Sequence, residues 1–184
     1  MRLINFILII FLILTNGIKA DTEFQVLKNL KNGGNLIFIR HAYAPGGGDP
    51  DNFDINNCDT QRNLNEIGRR QAKKIGTFFE DNNLVVNEIY SSEWCRCKET
   101  AQIAFNRYEK KKFLNSFFSS KFIKNKDSQM IKLKKFIKDH DNKKNIIFIT
   151  HYVVINETIN YSANSGEIIV FDKNYNILGN LITD

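Results

Sequence analysis

Two short, uninterrupted apolar runs, each stopped by a histidine, constrain this chain more than any other feature. Ile37-Phe38-Ile39 leads into Arg40-His41, and Ile146-Ile147-Phe148-Ile149 leads into Thr150-His151, the two histidines lying 110 positions apart. Runs apolar at every position and too short for a helix suit strands covered on both faces, as in sheets flanked by helices. The 184 residues include 3 histidines, and two of them stand just past such runs. In open α/β sheets ligands bind in the crevice at the carboxyl ends of the strands. Both imidazoles are therefore expected at one site.

The remaining chain supplies the helices. Asp21 to Lys31 reads as a short helix with Phe24, Leu27 and Leu30 on one side, ended by Gly33-Gly34. Asn35 to Arg40 is a buried strand. Ala44 to Thr60, with both prolines, Gly46-Gly47-Gly48 and four aspartates, reads as an irregular loop. Leu64 to Asp81 is an amphipathic helix, Glu88 to Ser91 a strand and Glu93 to Tyr108 a helix. Phe113 to Phe118 is expected to be extended, Ser128 to Asp139 helical and Asn145 to Thr150 a strand. Glu167 to Phe171 and Asn176 to Ile182 close the sheet, turning at Asp172-Lys173-Asn174-Tyr175. Strands alternating with helices indicate one domain, a three-layer α/β/α fold with a mainly parallel central sheet.

Residues 1–20 have the composition of a signal peptide: Arg2, then an apolar run from Leu3 to Leu14 broken by Asn5, and Ile18-Lys19-Ala20 before Asp21. A span would want about 18 or more apolar residues, so cleavage without stable membrane insertion is expected, leaving residues 21–184 as the domain. Removing Arg2 and Lys19 lowers the net charge from +6 to +4. The lysines from Lys132 to Lys144 alternate with Ile131, Leu133, Phe136 and Ile137 at helical spacing, as on a solvated helix face, and no nucleic-acid partner is expected. In an exported chain the three cysteines permit a disulfide. Cys95 and Cys97 would point to different faces of a helix, so Cys58 is expected to pair with one of them. No C-x-x-C or H-E-x-x-H occurs, and no metal or cofactor is expected.

The candidate chemistry is that of a phosphoryl group. Catalysis on phosphate is mostly positioning and electrostatic stabilisation. Arginine offers bidentate hydrogen bonds and a permanent charge. Arg40 precedes His41, and Arg96 lies in Ser92-Glu93-Trp94-Cys95-Arg96-Cys97-Lys98-Glu99-Thr100, a strand end followed by a helix start. Neighbouring guanidiniums disfavour imidazolium and keep a histidine neutral for attack.

These residues resemble the histidine phosphatase superfamily, phosphoglycerate-mutase-like, branch 1. Its Arg-His-Gly is similar to Arg40-His41-Ala42, and its Leu-Thr-x-x-Gly-x-x-Gln-Ala helix start to Leu64 through Ala72. Its Ser-x-Leu-x-Arg-Ala-x-x-Thr resembles Ser92 through Thr100, and its Gly-His resembles Thr150-His151. The resemblance implies that His41 is the nucleophile that becomes phosphohistidine, with Arg40, Arg96 and His151 completing the phosphate pocket. Arg62 is a candidate second contact to substrate, or an ion-pair partner of Asp49, Asp51, Asp54 or Asp59. The chain departs from the pattern at Ala42 and after Leu114-Asn115, where Ser116 stands in place of a glutamate. Asp49, Asp54, Asp59 or Glu157 would have to serve as general acid, with Asp49 the first choice. The expectation is an exported, periplasmic bacterial phosphatase acting on a phosphorylated small molecule or glycan. The alternative is a non-catalytic module binding phosphate or phosphoglycan on the same fold.

Overall fold

The computed structural model describes residues 23–141 and 143–183. The signal peptide expected at residues 1–20 lies outside them. A helix at residues 23–32 (α1) is followed by β1 (Leu36–Arg40), α2 (Glu66–Asp81), β2 (Glu88–Ser91), α3 (Cys95–Phe105) and β3 (Glu109–Lys110). Then come α4 (Lys126–Asp139), β4 (Ile146–Thr150), α5 (Tyr152–Ile159), β5 (Ile168–Phe171) and β6 (Ile177–Leu181). No helix among the described residues is long and apolar enough to cross a membrane.

The six strands form one sheet in the order β3-β2-β4-β1-β5-β6. β3, β2, β4 and β1 run parallel, whereas β5 and β6 are antiparallel additions. β1 and β4 are central, and this is why their sequences are apolar at every position. Side chains alternate across the sheet. Ile37, Ile39, Ile147 and Ile149 enter one core cluster with α2 and α3, whereas Leu36, Phe38, Ile146 and Phe148 enter another with α4 and α5. The three-layer architecture with a mainly parallel sheet is as expected.

Three local expectations change. Phe113 to Phe118 is not extended: a 3-10 turn covers Lys112–Leu114, and irregular backbone follows. Its buried side chains Leu114 and Phe117 pack beneath the sheet rather than into it. The loop from Ala44 to Thr60 contains a 3-10 turn at Cys58–Thr60, started by Asn57, whose side chain accepts from the Asp59 N–H. Helix α5, directly after His151, has no counterpart among the expected elements. It buries Val154, Ile155, Thr158 and Ile159 on one face, a stripe too short to stand out beside the strand that precedes it.

Register sets the site. Arg40 is paired with Thr150, so His41 and His151 leave the carboxyl ends of neighbouring parallel strands side by side. The His41 N–H donates to the Thr150 carbonyl at 2.9 Å.

Candidate active site

Each functional side chain sits where a strand gives way to a loop or helix. His41 and His151 are buried, with ring centroids 5.4 Å apart. Arg96, in the first turn of α3, lies between them. Its Nε donates to His41 Nε2 at 3.2 Å and its Nη2 to His151 Nδ1 at 3.4 Å. These contacts settle the tautomers, because a guanidinium only donates and a carbonyl only accepts. His41 Nδ1, 2.8 Å from the Ala42 carbonyl, carries the proton, and Nε2 holds the lone pair. His151 accepts through Nδ1, so its Nε2–H faces Ser92 Oγ at 3.0 Å.

Both imidazoles are held well below the ordinary histidine range, first by burial and then by the Arg96 charge, with smaller contributions from Arg40 and Arg62. They are neutral near pH 7. Arg40 and Arg62 are pushed downward, chiefly by burial and with Arg96 contributing, yet remain cations. Arg40 Nη1 donates to the Ala163 carbonyl at 2.8 Å, and Arg62 Nη1 donates to the Ala44 carbonyl. The Nε atoms of Arg40 and Arg62 are buried and have no hydrogen-bond partner among the described residues. Arg40, Arg62 and Arg96 line a cavity beside two neutral imidazoles, a lining suited to a polyoxygenated anion.

Arg40, His41, Arg62, Arg96 and His151 thus line one cavity of about 700 Å3, with Asp49 among them. Asp49 does not hold the place expected of a general acid. Its carboxylate accepts from Arg96 Nη1 at 2.7 Å and Nη2 at 3.3 Å, from the Arg62 N–H at 3.0 Å and from Trp94 Nε1 at 3.0 Å. Burial alone would raise its pKa, but the hydrogen bonds and charge of Arg96, with the other donors, outweigh burial and hold it below the usual value. Ionised and surrounded by donors, Asp49 has no proton to give. The other candidate acids lie elsewhere: Asp54 accepts from the Asn56 N–H within its own loop, Asp59 is exposed, and Glu157 pairs with Lys126 at 2.8 Å. Ser116 lines the cavity, its Oγ accepting from the Phe118 N–H at 3.3 Å.

A second set of residues holds the first in place. The Ala42 N–H donates to Thr100 Oγ1 at 3.0 Å, and that hydroxyl donates to the Arg96 carbonyl at 2.7 Å, locking the His41 backbone to α3. Gln71 accepts from the Tyr43 N–H at 2.9 Å and donates to the Ser165 carbonyl at 2.8 Å. A Cβ on Gly68 would lie 2.0 Å from the Tyr43 carbonyl oxygen, so this helix position must be glycine for the segment after His41 to pack. Trp94 at the start of α3 makes no side-chain cap. The Cys95 N–H is instead taken by Gln61 Oε1 at 2.9 Å, and Cys58 is bonded to Cys95. Cys97 is free and buried, its thiol pushed up to about 12, mainly by burial. Gln61 escaped sequence reasoning because its contact with the Cys95 N–H spans 34 residues, and Ser92 and Trp94 were visible only as members of a resembling segment. Thr100, Gly68 and Gln71 were visible only as members of the resembling segments.

A model of the histidine phosphatase superfamily (branch 1) matches residues 36–114. No curated protein matches the chain. Among solved structures, the fold is similar to that of the protein histidine phosphatase SixA complexed with tungstate, at 11% identity and TM-score 0.56 over 81% of this chain and 97% of that chain. It is also similar to a phosphoglycerate mutase from Thermus thermophilus, at 13% identity and TM-score 0.55 over 82% and 99%. TTHB049 from the same organism has 14% identity and TM-score 0.58 over 82% and 99%. The match over residues 36–114 covers His41, Arg62 and Arg96 together.

Proposed function

We propose that the chain is a histidine phosphatase of superfamily branch 1, the family whose model matches residues 36–114, and that it cleaves phosphomonoesters or related phosphoryl compounds through a phosphohistidine on His41. The observation that carries the reading is the His41 tautomer: Nδ1–H is fixed on the Ala42 carbonyl and the Nε2 lone pair is presented among three guanidiniums. An incoming phosphoryl group engages Arg40, Arg62 and Arg96 through its outer oxygens. Its oxygen takes the Arg96 Nε–H away from His41, which frees Nε2 to attack phosphorus. The P–N bond forms, the bond from phosphorus to the leaving oxygen or nitrogen breaks, and the leaving group departs with the electron pair. Water then attacks phosphorus, loses a proton, and releases inorganic phosphate and neutral His41. The phosphate dianion offsets the guanidinium field at His151, so the neutral ring takes up a proton from solvent on Nδ1, becomes an imidazolium, and donates from that nitrogen to the transferring group. The guanidiniums supply the charge stabilisation, so the scheme calls for no metal or cofactor.

Asp49 and Asp51 are the carboxyl groups lining the cavity among the described residues, and Asp49 is committed to Arg96. Leaving groups that depart readily as anions, such as aryl, acyl or N-linked ones, are accordingly favoured over simple alkoxides. Tungstate, a tetrahedral oxyanion, is bound by SixA, whose fold this chain shares. Export of the chain, with a periplasmic location, is part of the proposal and is supported by the composition of residues 1–20 and by the disulfide.

The test is to quench turnover of an aryl phosphate and look for an acid-labile, alkali-stable phosphoryl adduct on His41. His41→Ala is expected to abolish turnover while tungstate binding partly survives. Binding of tungstate without turnover in the wild type would instead favour the non-catalytic phosphate-binding module.

A further inference from the structure

The phosphate end of the cavity is buried and cationic, but its mouth is of another kind. Tyr43, Phe118 and Tyr152 all line it, and they are 41%, 60% and 37% exposed. They come from three separate segments: the residue two after His41, the irregular stretch that replaces an expected strand, and the first residue of α5. Large apolar groups scattered singly over a surface need no explanation. Three aromatic rings gathered at the opening of one polar pocket are a different case.

The rings are also fixed relative to the phosphate end. The Phe118 and Tyr152 rings lie 5.8 Å apart at a tilt of 59°. The Arg40 guanidinium sits over the Tyr152 ring, 5.4 Å from its centroid, which ties that face directly to a phosphate ligand. The backbone of Tyr43 is held by Gln71, so its ring leaves from a set position. A phosphoryl group in contact with Arg40 and His41 thus has its leaving group in the cavity that these rings line. The cavity of about 700 Å3 is far larger than a phosphate requires and falls in the range of sites for whole small molecules.

We propose that Tyr43, Phe118 and Tyr152 form a leaving-group subsite that selects phosphorylated small molecules bearing a flat ring next to the phosphorus. The proposal rests on the phosphate pocket described above and names its substrate class. The shared chemistry is a ring whose face lies on the aromatic walls, either a π face of an aryl or heteroaryl group or the CH face of a sugar.

Non-hydrolysable phosphonates separate the subsite from the catalytic reading, since the carbon–phosphorus bond is not cleaved and binding alone is read. Calorimetry would compare methylphosphonate with naphthylmethylphosphonate and cyclohexylmethylphosphonate. Wild type is expected to bind the naphthyl compound at least about tenfold more tightly than the methyl one, the worth of a good aromatic contact. In Phe118→Ala and Tyr152→Ala that ratio is expected to fall by about fivefold or more, and rescue by Phe118→Trp is expected. A cyclohexyl compound as tight as the naphthyl one assigns a sugar-like ring, and a weaker one assigns an aromatic ring. Equal ratios in wild type and both variants overturn the subsite while leaving the phosphate pocket standing. Failure of every phosphonate to bind overturns the phosphate pocket and the subsite with it.

Discussion

Asp49 has the most consequential surroundings of any single residue outside the two histidines. Its ion pair with Arg96 is buried, with side-chain exposures of 15% and 4%, and the same guanidinium reaches both imidazoles. Removing one partner of a buried pair leaves the other charge uncompensated, at a cost of about 3 kcal/mol or more. Asp49→Asn keeps the shape but removes the charge, so it should lower thermal stability. It should also enlarge the stabilisation given by added phosphate, because the anion no longer competes with a carboxylate for Arg96. A thermal-shift titration checks this, and an equal phosphate effect in both proteins would contradict it. The imidazoles make a separate prediction. Because both are held well below the ordinary value of 6.5, His41 stays neutral in acid and the acid limb of kcat/KM should fall below pH 6.5. Between their folded pKa values and 6.5 the unfolded chain binds protons that the folded chain refuses, so stability must decline as pH drops through that window. Asp49, lowered from 3.8, adds a further loss as pH falls below that value. Urea unfolding at several pH values measures the trend.

At the scale of elements, the loop carrying Asp49, Gln61 and Arg62 has little regular structure of its own and is fastened to α3. The Cys58–Cys95 bond, with a sequence separation of 37, places one anchor directly before Arg96. Closing a loop of this length stabilises by about 3–4 kcal/mol in the chain-entropy account. The double variant Cys58→Ser, Cys95→Ser should lose stability on that scale. It should also raise KM more than it lowers kcat, since Arg62 is on the fastened loop whereas His41 directly follows β1. Steady-state kinetics with and without reductant, alongside the variant, would detect this. Unchanged KM would mean that Gln61 and Asp49 hold the loop alone.

On the scale of the whole molecule, the sheet is shared by two core layers, and β1 and β4 contribute to both. Neither layer can open without the strands that support the other. Unfolding should therefore be one cooperative transition, with near- and far-ultraviolet signals coinciding. Phe148 is fully buried on the α4 and α5 side, against Phe38, Tyr90 and Phe136. Phe148→Ala should cost about 3–5 kcal/mol and shift the single transition without splitting it. The sequence by itself determined the central strands, because apolar side chains on both faces leave a short segment almost no other home. It also determined the amphipathic helices, and it marked out residues that folding gathers around one cavity, since Arg-His and Thr-His at strand ends are local patterns. Tertiary structure decided what depended on partners distant along the chain. Phe113 to Phe118 has the side chains of a strand but turns beneath the sheet, because the edge beyond β2 is already taken by Glu109–Lys110. Cys58 found Cys95 rather than Cys97 because α3 turns Cys97 into the core. Asp49 became the counterion of Arg96 and not an acid because folding brings its loop over the guanidinium, and an ion pair formed across 47 residues leaves no trace in local sequence.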